Sequence, residues 1–205
     1  MNNQNSPNIA AIILTAGLSS RMGAYKPLLT YKGKSFFQNI VLKLNSVCDR
    51  IIIVTGFHPQ DIEINIKQLK NEKINSKSQF VFNENFEDGM FSSLQKGIGA
   101  CSEADWILYH FVDQPSLPVD FYNSFVQQIE EEYDWIQPVI NEGRGHPVLL
   151  GNKMKEKILS ANVDSSLKDL SRMGINKKYW QCNFKQIFDD IDNINDYKVL
   201  LDSDK

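Results

Sequence analysis

Apolar and polar positions follow two alternating rhythms along the chain. Short, nearly continuous apolar runs cover residues 10–14, 51–55, 79–82, 106–111, 135–139, 147–150 and 186–188, and read as strands. Between them lie longer stretches in which apolar residues recur every three or four positions. In 35–44, Phe36, Ile40 and Leu44 fall on one helical face. A weaker pattern covers 59–69, and further ones cover 92–100, 118–131, 153–160, 165–173 and 194–201. Strands alternating with helices predict an α/β fold, a three-layer α/β/α sandwich around a mostly parallel mixed sheet. Only a Gly-rich loop separates 135–139 from 147–150, which predicts antiparallel pairing there, at the edge of the sheet. No repeat, low-complexity block or linker interrupts the pattern, so residues 9–205 read as one domain. Sheets of this kind bind ligands outside the carboxyl ends of their strands. The loops after Leu14, Thr55, Phe82, Phe111, Val139 and Phe188 are therefore the places to look for chemistry.

Composition narrows the functional classes. The chain of 205 residues is 42% hydrophobic and 23% charged, ordinary for a globular protein able to bury its core without staples. Its net charge of -3 argues against nucleic acid as the main partner but leaves room for a small anion held by local cations. Cys48, Cys101 and Cys182 are odd in number and widely spaced, which speaks against a zinc site or disulfide framework and for a reducing cytoplasm. No apolar run approaches the ~20 residues needed to cross a bilayer, so no membrane association is expected. Residues 1–8 are polar and uncharged, lack the pattern of a signal peptide, and read as a short disordered tail.

The loop after the first strand is the richest in chemistry. It runs Leu14-Thr15-Ala16-Gly17-Leu18-Ser19-Ser20-Arg21-Met22-Gly23-Ala24-Tyr25-Lys26-Pro27-Leu28-Leu29. Small residues at 15–17 let backbone approach a ligand, and backbone N–H groups in such a loop can cradle phosphate oxygens. Arg21 offers a planar fork for phosphate and Lys26 a point charge. The spacing is neither that of a P-loop nor that of a dinucleotide-binding turn.

Four further places carry candidates. Gly89 precedes Ser92 and Ser93 at a helix start, where serines cap orphan N–H groups and the helix end favours an anion or a base carbonyl. Asp113 follows the run 106–111. A carboxylate there serves as a turn or cap residue before Pro118, or as a ligand to a cation that offsets its burial. Asp192, beside Asp189 and Asp190, opens the last helix and needs no explanation beyond capping. His146, between Gly145 and Pro147, starts a strand and faces solvent or a cleft.

The run from Thr15 to Leu29 resembles the opening motif of the MobA-like nucleotidyltransferases, L-A-A/G-G-x-S-x-R-M-G-x-x-K-x-L-L, with Thr15 in place of a small Ala. Other segments are similar to the molybdenum cofactor cytidylyltransferase branch. They are Asn85 to Leu94 (N-x-x-x-x-G-M-x-x-S-L), Asp113-Gln114-Pro115, Gly145-His146-Pro147-Val148 and Asp190-Ile191-Asp192. The resemblance implies a nucleotide-diphospho-sugar transferase-like fold. It also implies transfer of CMP from CTP to a phosphate-bearing, molybdopterin-type acceptor, with loss of pyrophosphate and a molybdoenzyme as recipient of the product. Asp113 and Asp192 would hold Mg2+, Arg21 the β- and γ-phosphates, and Lys26 the α-phosphate. Lys26, Arg21 and Asp113 form the implied catalytic set. Thr15, Ala16, Gly17, Gly89, Ser92 and Ser93 would surround the nucleotide, and His146 would face the acceptor or the metal site. The segment Asp164-Ser165-Ser166-Leu167-Lys168 aligns with the family's G-D-x-G-A-R, but only Asp164 is retained and Lys168 replaces Arg. That departure keeps two alternatives open: another phosphorylated acceptor, such as a sugar phosphate or phospholactate, and a nucleotide-binding accessory protein without turnover.

Overall fold

A computed structural model of the chain describes residues 6–17 and 22–202. In chain order the elements are β1 (Ile9–Leu14), β2 (Thr30–Tyr31), β3 (Lys34–Ser35), α1 (Phe36–Leu44), β4 (Arg50–Thr55), α2 (Pro59–Lys67), α3 (Glu72–Lys77), β5 (Ser78–Phe82), α4 (Met90–Gly99), β6 (Trp106–Phe111), α5 (Val119–Val126), β7 (Trp135–Ile140), β8 (Gly143–Arg144), β9 (Val148–Leu150), α6 (Asn152–Ser160), α7 (Leu167–Leu170), β10 (Lys177–Gln181) and α8 (Ile194–Asp202). The main sheet has the order β10-β7-β9-β6-β1-β4-β5, with β8 paired to β7, while β2 and β3 form a separate hairpin.

β1 lies at the centre and pairs in parallel with β4 on one side and β6 on the other. Its six residues are all buried. Ile9, Ala11 and Ile13 face one core together with side chains of α1, α2 and α5, whereas Ala10, Ile12 and Leu14 face a second core under α4, α6 and α7. This two-sided burial is why the central strands read as unbroken apolar runs. It makes the sheet the middle of three layers, in accord with the expected fold class.

Several details differ from the sequence reading. The antiparallel strand is not at an edge: β9 sits between β6 and β7 and runs against both, and β10 pairs in parallel outside β7. Residues 186–188 form no strand, because Lys185–Phe188 is a 3-10 turn. The edge position belongs to Lys177–Gln181, whose apolar content is low because only one of its faces packs on the core, through Trp180. α3 escaped notice because Ile74 is its only buried residue and the Asn71 side chain accepts from the Ile74 N–H to start it. α5 stops at Val126, short of residue 131, where Glu130, Glu131 and Glu132 would oppose the helix dipole. Of the segment read as a tail, residues 1–5 lie outside the described residues. Asn8 is hydrogen-bonded, its N–H donating to the Asp105 carboxylate at 2.8 Å.

A third, smaller cluster joins Met22, Tyr31 and Phe36 to Ile191 and Leu200. The Tyr197 hydroxyl also donates to Thr30 O at 2.7 Å. These contacts fold the C-terminal helix back over the β2–β3 hairpin and carry residues 189–192 to the carboxyl ends of β1 and β6.

Candidate active site

At those strand ends lies a cleft of about 600 Å³. Its lining includes Thr15, Gly17, Lys26, Asp113, His146 and Asp192 from the sequence candidates, and Met90, Phe111, Gln114, Arg144, Ile187, Phe188 and Asp190 beside them. Arg21 lies outside the described residues. Ala16 is buried behind the lining, and its carbonyl accepts from the Phe57 N–H at 3.3 Å. The position of the cleft follows the general rule for open α/β sheets, since β1 is where successive crossovers leave in opposite directions.

Three acidic side chains converge there. Oxygens of Asp113, Asp190 and Asp192 all lie within 4.8 Å of one another. Lys26 bridges two of them, with Nζ 2.8 Å from Asp192 Oδ1 and 3.5 Å from Asp113 Oδ2. Burial pushes the Asp113 carboxyl up to about 6. Lys26 opposes that rise and the neighbouring Asp190 adds to it. The donor set is all oxygen and all carboxylate, which suits a hard divalent cation such as Mg2+ or Mn2+. The same ion would relieve the crowding of the three acids, which Lys26 offsets in part.

The backbone around Asp113 explains how distant residues meet. The Ile191 N–H donates to Asp113 O at 3.3 Å, and Gln114 Nε2 donates to Ile187 O at 3.1 Å. The Ser116 hydroxyl donates to the Asp189 carboxylate. Asp189 is thereby taken up in holding the chain, which leaves Asp190 and Asp192 for the cleft. Glycines permit this approach: a Cβ at Gly145 would stand 2.5 Å from Ile187 Cβ, and one at Gly143 would stand 2.8 Å from Phe188 Cζ. The capping role open to Asp192 is filled by its neighbour, since Asn193 Oδ1 accepts from the N–H groups of Asn195 and Asp196 at 2.9 and 3.2 Å.

Thr15 and the serines use their hydroxyls internally. Thr15 Oγ1 donates to Val54 O at 3.0 Å, so the residue replacing the family's small Ala satisfies itself at the sheet end. The Tyr25 hydroxyl reaches Thr15 O at 2.5 Å and Phe57 O at 2.9 Å, tying the loop to β4. Ser92 and Ser93 do not cap α4 and do not line the cleft. Both accept from Asn83 Nδ2, at 3.0 and 2.9 Å, and Ser92 donates to Gly89 O at 2.8 Å. The reason is that Asn83, at the end of β5, is buried and needs partners for its amide. The first turn of α4, after exposed Gly89, has no side-chain cap, and Met90 turns to the cleft. Asp164 likewise caps nothing: Ser166 opens α7 by accepting from the Asp169 N–H at 3.1 Å, and Lys168 is exposed.

His146 lines the cleft with its ring centroid 4.6 Å from that of Phe111. Burial holds the imidazole below its usual value, and Asp190 pulls the other way. Its Nδ1 is buried without a hydrogen-bond partner.

Asp190, Arg144 and Phe188 are cleft residues that sequence reasoning did not select. Asp190 was visible as one of three adjacent acids. Arg144 was visible only as a cation beside the Gly145-His146-Pro147 segment. The three free cysteines are all buried, and no helix among the described residues is long and apolar enough to cross a membrane.

Comparison with known proteins bears on the family and the fold. A probable molybdenum cofactor guanylyltransferase of Bacillus cereus is 27% identical over 180 residues, spanning 87% of this chain and 82% of its own. The counterpart in Bacillus mycoides is 28% identical over 181 residues, with the same coverage. Among solved structures, a nucleotidyl transferase from Methanothermobacter superimposes with a TM-score of 0.75 at 21% identity, over 96% of this chain and 97% of that one. The manganese complex of Rv0371C from Mycobacterium tuberculosis gives 0.73 at 18% identity, over 96% and 99%. At these identities the two structures speak for the fold alone. The family model of the MobA-like NTP transferase domain matches residues 11–179, from within β1 into β10, and the chain belongs to that family.

Proposed function

We propose that the cleft transfers a nucleoside monophosphate, CMP from CTP, to a phosphate oxygen of a molybdopterin-type acceptor and releases pyrophosphate. The observation that carries the reading is the Asp113–Asp190–Asp192 cluster bridged by Lys26, set beside a small-residue loop at the carboxyl end of the central strand. A divalent ion held by those carboxylates would supply charge neutralisation for the phosphates; Asp190 joins Asp113 and Asp192 as its holder. The manganese complex of the mycobacterial neighbour is in keeping with such a site.

The chain's own residues then do mostly electrostatic work. Lys26, largely buried, faces the site of reaction and meets negative charge as it grows on the α-phosphate. Backbone at Ala16 and Gly17 and the uncapped start of α4 offer N–H groups to the nucleotide, the Thr15 N–H being held by Val54 O at 2.9 Å. Arg21 holds the outer phosphates. His146, with an unpartnered buried nitrogen, offers a hydrogen bond on the acceptor side. No covalent intermediate is required, and the three cysteines are free and buried, the Cys101 thiol donating to Gly97 O at 3.3 Å. Residues 9–205 act as one domain, in the cytoplasm.

The choice of CTP rests on the Asp113-Gln114-Pro115, Gly145-His146-Pro147 and Gly89-Met90 segments. A second reading, GTP, is favoured by the names of the Bacillus relatives, which are guanylyltransferases. Equimolar CTP and GTP, with Mg2+ and molybdenum cofactor, decide between them by the mass of the product. A CMP adduct is expected. A GMP adduct selects the second reading, and pyrophosphate release from neither nucleotide removes the transferase reading.

A further inference from the structure

The sheet divides the cleft into two halves. β1, β4 and β5 lie on one side of β6, and β9, β7 and β10 on the other, with the carboxylate cluster between. The small-residue loop belongs to the first half. The second half contributes Arg144 and Phe188, which no role described above uses.

Arg144 sits on β8 opposite Val139 of β7, and Val139 is in turn opposite Gln181 of β10. Side chains in lateral register share a face, so Arg144 projects on the same side as Gln181, Tyr179 and Lys177. Its Cζ lies 4.8 Å from the centre of the Tyr179 ring, within cation–π range. Beyond that ring, the guanidinium has no ion pair or side-chain hydrogen bond among the described residues. Burial holds Lys177 below the usual lysine value, and the nearby Arg144 and Arg172 add to the effect, so three basic side chains meet here. A guanidinium braced by a ring, unpaired and lining a cleft, is arranged to receive a planar anion in a bidentate manner.

Phe188 is 45% exposed although it lines the same cleft. It is not loose, because it lies on the backbone at Gly143, where there is no space for a Cβ beneath the ring. A fixed and half-bare aromatic face next to an anion receptor suits a ligand that carries a phosphate and a flat ring together. A sugar phosphate offers no flat face and would leave Phe188 in water.

We propose that Arg144, braced by Tyr179, binds the acceptor's phosphate, and that Phe188 is the platform on which a planar ring of the acceptor stacks. This rests on the transferase reading above and extends it to named acceptor-binding residues.

Calorimetric titration of a pterin bearing a phosphomonoester side chain, the unphosphorylated pterin, and ribose 5-phosphate tests it on the full chain. The parent should bind the pterin phosphate more tightly than either comparison ligand. Arg144→Ala should weaken the pterin phosphate about tenfold and leave the unphosphorylated pterin unchanged. Arg144→Lys should recover only part of the loss, since the fork is gone. Phe188→Ala should weaken both pterins roughly fivefold and spare ribose 5-phosphate. CTP and GTP affinities with Mg2+ should be unchanged in every variant. The proposal is overturned if Arg144→Ala leaves pterin phosphate binding intact, if ribose 5-phosphate binds as well as the pterin phosphate, if the parent binds neither, or if a variant loses nucleotide affinity instead. A parent that binds the pterin phosphate but no nucleotide would sink the transferase reading while supporting this one.

Discussion

Replacing Asp113 with Asn should stabilise the metal-free protein at neutral pH and abolish its function. Asp113 is largely buried, with 22% of its side chain exposed, and shares space with Asp190. Its carboxyl sits at about 6 rather than 3.8, so the folded state holds the proton more tightly than the unfolded chain does. Between those two values the folded state carries the extra proton, and stability falls as pH rises. Above about 6 the full cost of the ionised form is present. Two pKa units correspond to about 3 kcal/mol, some of which the Asn amide forfeits by losing the attraction of Lys26. For a chain of this size 1 kcal/mol moves Tm by about 2–4 °C. Asp113→Asn in EDTA at pH 7 should therefore melt about 3–9 °C above the parent, with the gap closing near pH 4.5, where the parent's carboxyl is protonated too. Adding Mg2+ or Mn2+ should reverse the order, because only the parent retains the full set of three carboxylates. Scanning calorimetry at both pH values, with and without metal, reads all of this in one series. A variant less stable than the parent at pH 7 in EDTA, or a gain equally large at pH 4.5, would refute the argument that burial and Asp190 destabilise the ionised Asp113.

Lys26→Ala should lower kcat by at least about 100-fold with little change in nucleotide KM, because its charge matters most as the α-phosphate gains negative charge. Arg21→Ala should act mainly on nucleotide binding, and steady-state kinetics in which both variants raise only KM would remove Lys26 from the catalytic set. Gly145→Ala should destabilise by about 1–3 kcal/mol and weaken Mn2+ binding, because a Cβ placed 2.5 Å from Ile187 must push away the segment that carries Asp190 and Asp192. Thermal melts and Mn2+ titration followed by electron paramagnetic resonance check both effects, and unchanged metal affinity would contradict the proposed coupling.

Much of this protein is legible in its sequence because the relevant signals are local. The runs at 10–14, 51–55 and 106–111 are apolar on both sides of the strand, which only a covered parallel sheet requires, and β1, β4 and β6 appear there. The Thr15-to-Leu29 motif identifies the family because its residues are contiguous. Signals fade where one face suffices or where partners are distant. β10 packs on the core through few side chains, and its charged sequence hides it. The hydroxyls of Ser92 and Ser93 point away from the cleft because Asn83, at the end of another strand, is buried and demands them. Among three adjacent acids, local pattern cannot distinguish Asp189, which holds Ser116, from Asp190 and Asp192, which reach Asp113. Arg144 and Phe188 enter the cleft only because glycines at 143 and 145 let the 185–188 turn lie against β8 and the chain after it. Sequence thus determined the layers, the motif that follows β1 and the family. Tertiary structure alone decided which carboxylates meet, which hydroxyls are spent and which side chains face the second half of the cleft, because each of these depends on contacts between residues far apart in the chain.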